Sequence, residues 1–114
     1  MKRQFPSPIN GASVSLEQLH FFSRVAELGS LASAARELNT SNSLATRKIA
    51  ALERSLEMRL FERTTRKIRL TEGGNIALTW ARNTLENYES MTDDMSLLLK
   101  RPSGTIRLAI NHYA

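Results

Sequence analysis

The chain has no cysteine, only three prolines and five glycines among 114 residues, few aromatic residues, and no long apolar run. Without thiols there is no disulfide framework and no thiolate metal site, which suits a reducing cytoplasm. No stretch approaches the roughly 20 consecutive apolar residues needed to cross a bilayer. The first residues, MKRQFPSPINGAS, lack the apolar block of a secretory signal. These absences predict a cytoplasmic protein with no membrane partner. The two histidines, His20 and His112, stand without metal-ligand spacing, and no glycine-rich loop is placed to cradle phosphate. Neither a metal nor a cofactor is expected, a catalytic role is disfavoured, and His20 reads as a partly exposed helix residue. A chain of this length builds one domain, or one domain with an appendage, and a modest core instead of a large enzyme pocket.

What the chain does have is segregated charge. Residues 41–71 carry eight cations, Arg47, Lys48, Arg54, Arg59, Arg63, Arg66, Lys67 and Arg69, against Glu53, Glu57 and Glu62, a local excess of +5. That equals the formal net charge of the whole chain. Residues 72–100 hold Arg82 and Lys100 against Glu72, Glu86, Glu89, Asp93 and Asp94, a net −3. A basic segment of this kind suits double-stranded DNA, whose phosphates release condensed counterions when neutralised. An ordinary solvated basic face has the same composition, so the charge is only one part of the argument.

The pattern of apolar residues and caps predicts four helices and a small hairpin. Residues 1–13, with Pro6, Pro8 and Gly11 and no periodicity, read as a flexible leader in which Lys2 and Arg3 offer nonspecific phosphate contacts. Ser15 with Gln18 makes a capping box, and Leu16, Leu19, Phe22 and Val25 follow at helical spacing until Leu28-Gly29. Ser30 caps a short second helix built on Ala32, Ala34, Ala35 and Leu38, and Asn39-Thr40 turns the chain. Ser41 caps a third helix with an expected inner face of Leu44, Ala45, Ile49, Leu52 and Leu56. Asn42, Ser43, Thr46, Arg47 and Lys48 are left to face outward or into a groove. Leu60 and Phe61 anchor one strand, Thr64-Thr65 lie at a turn, and Ile68 and Leu70 alternate with Lys67 and Arg69 in a second strand.

Thr71 then caps a helix expected to run to about Leu99. About 28 residues span roughly 42 Å, longer than so small a domain can cover. Ala81, Tyr88 and Met95 recur every seven residues, with Thr84, Met91 and Leu98 in complementary positions and Leu85 beside them, as in a coiled-coil seam. The seam predicts a homodimer. Trp80 and Tyr88 are expected in the core or the seam, not on a stacking surface for single strands. Pro102-Ser103-Gly104 breaks the helix, and Ile106, Leu108 and Ile110 alternate as in a half-buried strand.

The expected architecture is mainly α: a winged helix-turn-helix of three helices and a two-stranded wing over residues 14–71, a dimerisation helix over 72–101, and over 102–114 a hinge with the first strand of a further domain. A helix whose polar start follows a tight turn is the arrangement that enters a major groove, and the basic hairpin after it is that of winged helices. Two other readings share these features: a helical protein-interaction module, and an architectural DNA binder without sequence preference.

The segment LEQLHFFSRVAELGSLASAARELNTSNSLATRKIAALERSLEMRLFERTTRKIRLTEGG resembles the N-terminal domain of the LysR-type bacterial transcriptional regulators. The resemblance runs from about Val14 to Ile110. Its carriers are the Gly29-Ser30 turn, the Ala34-Ala35 pair, Leu52-Glu53, Leu60-Phe61-Glu62-Arg63 and Leu70-Thr71-Glu72-Gly73-Gly74. It implies sequence-specific binding to a two-fold promoter site and antiparallel pairing of the long helices. It also implies an effector-binding domain downstream, through which alone a small molecule would act, and tetramers in a full-length form. Carried over by position, Asn42, Ser43, Thr46 and Arg47 match the groove-facing helix start, and Arg66 matches a wing residue that enters the minor groove. Ser30, Ala32, Ser33, Ser41, Thr64 and Thr65 are placed to supply amides or hydroxyls to phosphates, with Arg63, Arg66 and Lys67 supplying charge. Arg54 and Arg59 are expected in structural salt bridges. Two departures stand out. Asn42-Ser43 replaces the family's common glutamine-proline, shortening the reach to a base edge by one methylene. Gly73 replaces the usual alanine, which weakens the helix start by up to about 1 kcal/mol.

Overall fold

Short-range caps set the helix boundaries. The computed structural model describes residues 13–63 and 68–101, the Arg63 side chain excepted. The leader up to residue 12, the Thr64-Thr65 turn with Arg66 and Lys67, and the strand expected from Ile106 to Ile110 lie outside the described residues. Helix α1 spans Leu16–Leu28, with the Ser15 hydroxyl accepting from the Gln18 amide at 3.1 Å and the Gln18 Oε1 accepting from the Ser15 amide at 2.9 Å. It stops at Gly29, whose φ of 67° is left-handed. Helix α2 spans Leu31–Glu37 behind the Ser30 cap, and α3 spans Asn42–Leu56 behind the Ser41 cap. Between them Asn39 takes a left-handed φ of 58°, and the Thr40 amide donates to the Ala35 carbonyl at 2.8 Å. The two helices are thereby joined by a tight turn.

Strands β1, Phe61–Arg63, and β2, Ile68–Leu70, pair antiparallel with Phe61 opposite Leu70 and Glu62 opposite Arg69. The alternation puts Phe61 inward and sets Glu62 and Arg69, of opposite charge, across from each other on the exposed side. Helix α4 spans Glu72–Lys100. The Thr71 hydroxyl caps it, accepting from the Gly74 amide at 2.9 Å and donating to the Arg59 carbonyl at 2.6 Å. The chain divides into two units, one ending at Arg82 and one beginning at Asn83.

The core of the first unit gathers Phe21, Phe22 and Val25 from α1, Ala34 and Ala35 from α2, and Ala45, Ile49 and Leu52 from α3. Leu60, Phe61, Leu78 and Ala81 complete it. The Phe22 and Phe61 rings meet at 5.4 Å in a tilted arrangement. The first unit is a mainly helical winged helix-turn-helix. The second unit, among the described residues, is the remainder of α4, on which Tyr88, Met91, Met95, Leu97 and Leu99 are exposed.

Three expectations about helix faces need correction. Leu44 is 45% exposed, because Ala45, about 100° round the helix, takes the inward phase that Ile49 and Leu52 share. Trp80 is 67% exposed and lies outside the core; Gly74, Leu78 and Ala81 form the inward face of α4, and Trp80 falls beside it with Ile76. Ala81, expected in the dimer seam, is buried at 1% exposure in its own core.

Polar contacts tie the wing and helices together. Glu53 is buried, and its carboxylate accepts from the Leu60 amide at 2.8 Å and the Phe61 amide at 3.4 Å, joining α3 to the start of β1. Glu53→Ala strands both buried amides and is expected to cost about 2 kcal/mol in urea denaturation, with Glu53→Gln losing less because one acceptor oxygen stays. On the surface, Arg24 binds Glu37 through two bonds, at 2.6 and 2.8 Å, and lies 3.5 Å from Glu27, which also accepts from Arg82 at 2.7 Å. The hydrogen bonds from Arg24 hold the Glu37 carboxyl below its ordinary range. This exposed network fastens α1 to α2 and to the first part of α4.

Candidate nucleic-acid interface

The outward side of α3 is built from small and polar residues. The Ser41 oxygen accepts from the Leu44 amide at 3.1 Å, so the hydroxyl holds the first turn and keeps its own proton to donate. Asn42, Ser43, Thr46 and Arg47 are all exposed. Asn42, Thr46 and Ala50 follow one another at four-residue steps and share a face, with Ser43 and Arg47 forming the neighbouring row. The Thr46 hydroxyl donates to the Asn42 carbonyl at 3.0 Å. Ala50, half-buried, adds only a methyl. A helix face with no bulky side chain other than one arginine can sit close against a groove floor.

Ala50 was not singled out by sequence reasoning. The signal that finds it is its place eight residues after Asn42 and four after Thr46, on the row that the caps and core leave outside.

Lys48, by contrast, does not share that outward face. Its ammonium sits 3.6 Å from the Glu17 carboxylate and 5.7 Å from the Phe21 ring centroid, turned toward α1. Its position in α3, one residue past Arg47, rotates it about 100° toward the first helix. Arg47 is thus the cation of the α3 start that faces outward.

At the start of α2 the Ser30 oxygen accepts from the Ser33 amide at 3.1 Å; Ser30 and Ser33 are half-buried and Ala32 is exposed. Arg63 ends β1, while Thr64, Thr65, Arg66 and Lys67 fall outside the described residues. Arg54 is held by a partner, and Arg59 makes no ion pair among the described residues, its carbonyl instead accepting from Thr71. In the second unit Thr84, Tyr88, Met91 and Met95 are exposed and Leu85 and Leu98 half-buried. Among the described residues there is no group of three or more His, Cys, Asp or Glu side chains able to hold a metal ion, and no helix is long and apolar enough to cross a membrane.

With this geometry in place, comparison with known proteins gives one consistent result. The family model described as the bacterial regulatory helix-turn-helix protein, lysR family, matches residues 16–75. The chain is 34% identical over 93 residues to the HTH-type transcriptional regulator DmlR of Escherichia coli K12, covering 82% of this chain and 30% of that protein. An uncharacterized HTH-type transcriptional regulator of Azotobacter vinelandii is 36% identical over 100 residues, 88% of this chain and 69% of that one. Among solved structures, the DNA-binding domain of CbnR in complex with DNA superposes with a TM-score of 0.68 at 39% identity, covering 77% of this chain and 100% of that one. The DNA-binding domain of BenM with its catB site 1 DNA gives 0.75 at 27% identity, covering 78% and 99%. The chain spans 30% of the length of DmlR.

Proposed function

The chain belongs to the LysR family of bacterial regulatory helix-turn-helix proteins, and from that premise we propose that it binds a specific operator in double-stranded DNA, as a dimer, with α3 in the major groove. The observation that carries this reading is the outward face of α3, where Asn42, Ser43, Thr46 and Arg47 stand exposed behind the Ser41 cap. The relatives crystallised on DNA support it. Asn42 suits the N6/N7 edge of adenine, and Arg47 suits guanine or a phosphate. Ser30, Ala32 and Ser33 hold phosphate near the start of α2. The family resemblance assigns Arg66 to the minor groove, and Arg63, Thr64, Thr65 and Lys67 are assigned to phosphate contacts, positions 64–67 lying outside the described residues. Such a reader of chromosomal DNA works in the cytoplasm.

Dimerisation is assigned to Thr84, Leu85, Tyr88, Met91, Met95 and Leu98, with Ala81 withdrawn because its own core covers it. An effector-sensing domain and tetrameric assembly are proposed for the whole protein, in keeping with the greater length of DmlR.

Selection of randomised duplexes on the purified protein tests the reading. An enriched inverted repeat with steeply salt-dependent affinity is expected. Retention without enrichment identifies an architectural binder, and no retention identifies a protein-interaction module. On the selected duplex, Arg47→Ala is expected to weaken binding by about 1–3 kcal/mol in fluorescence anisotropy, and unchanged affinity removes the start of α3 from the interface.

A further inference from the structure

We propose that Thr46 reads the 5-methyl group of a thymine through its own methyl, and does not donate a hydrogen bond to a base; the inference rests on the reading of α3 as the groove-entering helix. A threonine hydroxyl has one proton to give. Here that proton is committed to the carbonyl of Asn42, 3.0 Å away on the preceding turn. Threonine is restricted at χ1 in a helix, and a hydroxyl turned back on the carbonyl four residues earlier is one of its preferred states. With the oxygen drawn against the helix, the part of this exposed side chain left to present is the methyl.

Its surroundings extend the same surface. Ala50, one turn further along the same face, contributes a second methyl and nothing that competes for a hydrogen bond. The two methyls make a small apolar strip, flanked in the adjacent row by Ser43 and Arg47. In the major groove only thymine offers a matching apolar group, its 5-methyl, whereas guanine, adenine and cytosine present polar edges there. Serine at position 46 would make the same bond to Asn42, so the methyl is what threonine adds.

The test uses the duplex recovered by selection, with each thymine replaced in turn by deoxyuridine, which keeps base pairing and removes only the methyl. For the wild-type protein, one position in each half-site is expected to lose about threefold to fivefold in affinity, the factor of one buried methyl group. Thr46→Val keeps the methyl and discards the hydroxyl, so it should retain the thymine-to-uracil ratio at that position. Thr46→Ser keeps the hydroxyl and discards the methyl, so its ratio should fall to about one. Thermal unfolding of each variant checks that the helix is intact. A Thr46→Ser protein that still discriminates, or a Thr46→Val protein that does not, overturns the methyl contact. If no thymine is sensitive to demethylation while Arg47→Ala still weakens binding, the inference fails and α3 remains the reader. If Arg47→Ala is also without effect, the reading of α3 falls with it.

Discussion

Gly74→Ala is expected to lower the stability of the first unit by about 3 kcal/mol and its melting temperature by roughly 10–20 °C. A β-carbon at Gly74 would overlap the Leu60 carbonyl oxygen and come within 2.9 Å of Leu70 Cδ2. The carbonyl has no freedom to retreat, since it accepts the Thr71 amide at 3.0 Å and follows an amide held by Glu53. The helix start must therefore lift away from β1 and β2, opening the contact that seats Leu78 and Ala81 in the core. Gly73→Ala makes the contrast. The β-carbon there would meet Met58 at Cγ and Sδ, 2.6 and 2.7 Å away. Met58 is 52% exposed, and its unbranched chain can swing aside. The gain in helix propensity offsets this movement, so Gly73→Ala should lie within about 1 kcal/mol of the parent. Calorimetry of the two variants decides it: equal melting temperatures would mean that the close approach at Gly74 is not what seats α4.

Converting Met91 and Leu98 together to aspartate is expected to yield monomers in analytical ultracentrifugation and to reduce affinity for a two-fold operator by about 10²-fold or more. Met91 is 45% exposed and Leu98 half-buried on the second unit, seven residues apart and so on one side of the helix. In the proposed apolar seam two carboxylates per chain would be desolvated, while on an unpaired helix they sit in water at little cost. The large loss in DNA affinity follows because a dimer holds its second half-site at a high effective concentration once the first is bound. Dimers that persist in the doubly substituted protein remove this helix from the interface. Unchanged operator affinity in a proven monomer removes the two-fold mode of binding.

The elements of this fold were legible in the sequence where they depend on neighbours a few residues away. Ser15, Ser30, Ser41 and Thr71 each cap the helix expected of them, and Gly29 ends α1 in a left-handed conformation. Each is an interaction over three or four positions, so residue type and spacing suffice to state it. The strand pairing was legible for a similar reason: Phe61, Ile68 and Leu70 alternate with charged residues over a short connection.

Which face of each helix turns inward was not legible to the same degree. Leu44, Lys48, Trp80 and Ala81 all have apolar or amphipathic side chains at helical spacing, and periodicity alone allows each of them two neighbouring roles. Contacts between distant segments made the choice. Lys48 turned to Glu17 and Phe21 on α1, and the seat of Gly74 against the Leu60 carbonyl set the rotation of α4. The same holds for the candidate site. The sequence by itself determined the basic segment, the caps, the order of elements and the family. The tertiary structure decided that Arg47 and not Lys48 faces outward and that Trp80 stays outside the core, because a helix's rotation is settled by what it packs against, and those partners lie far away along the chain.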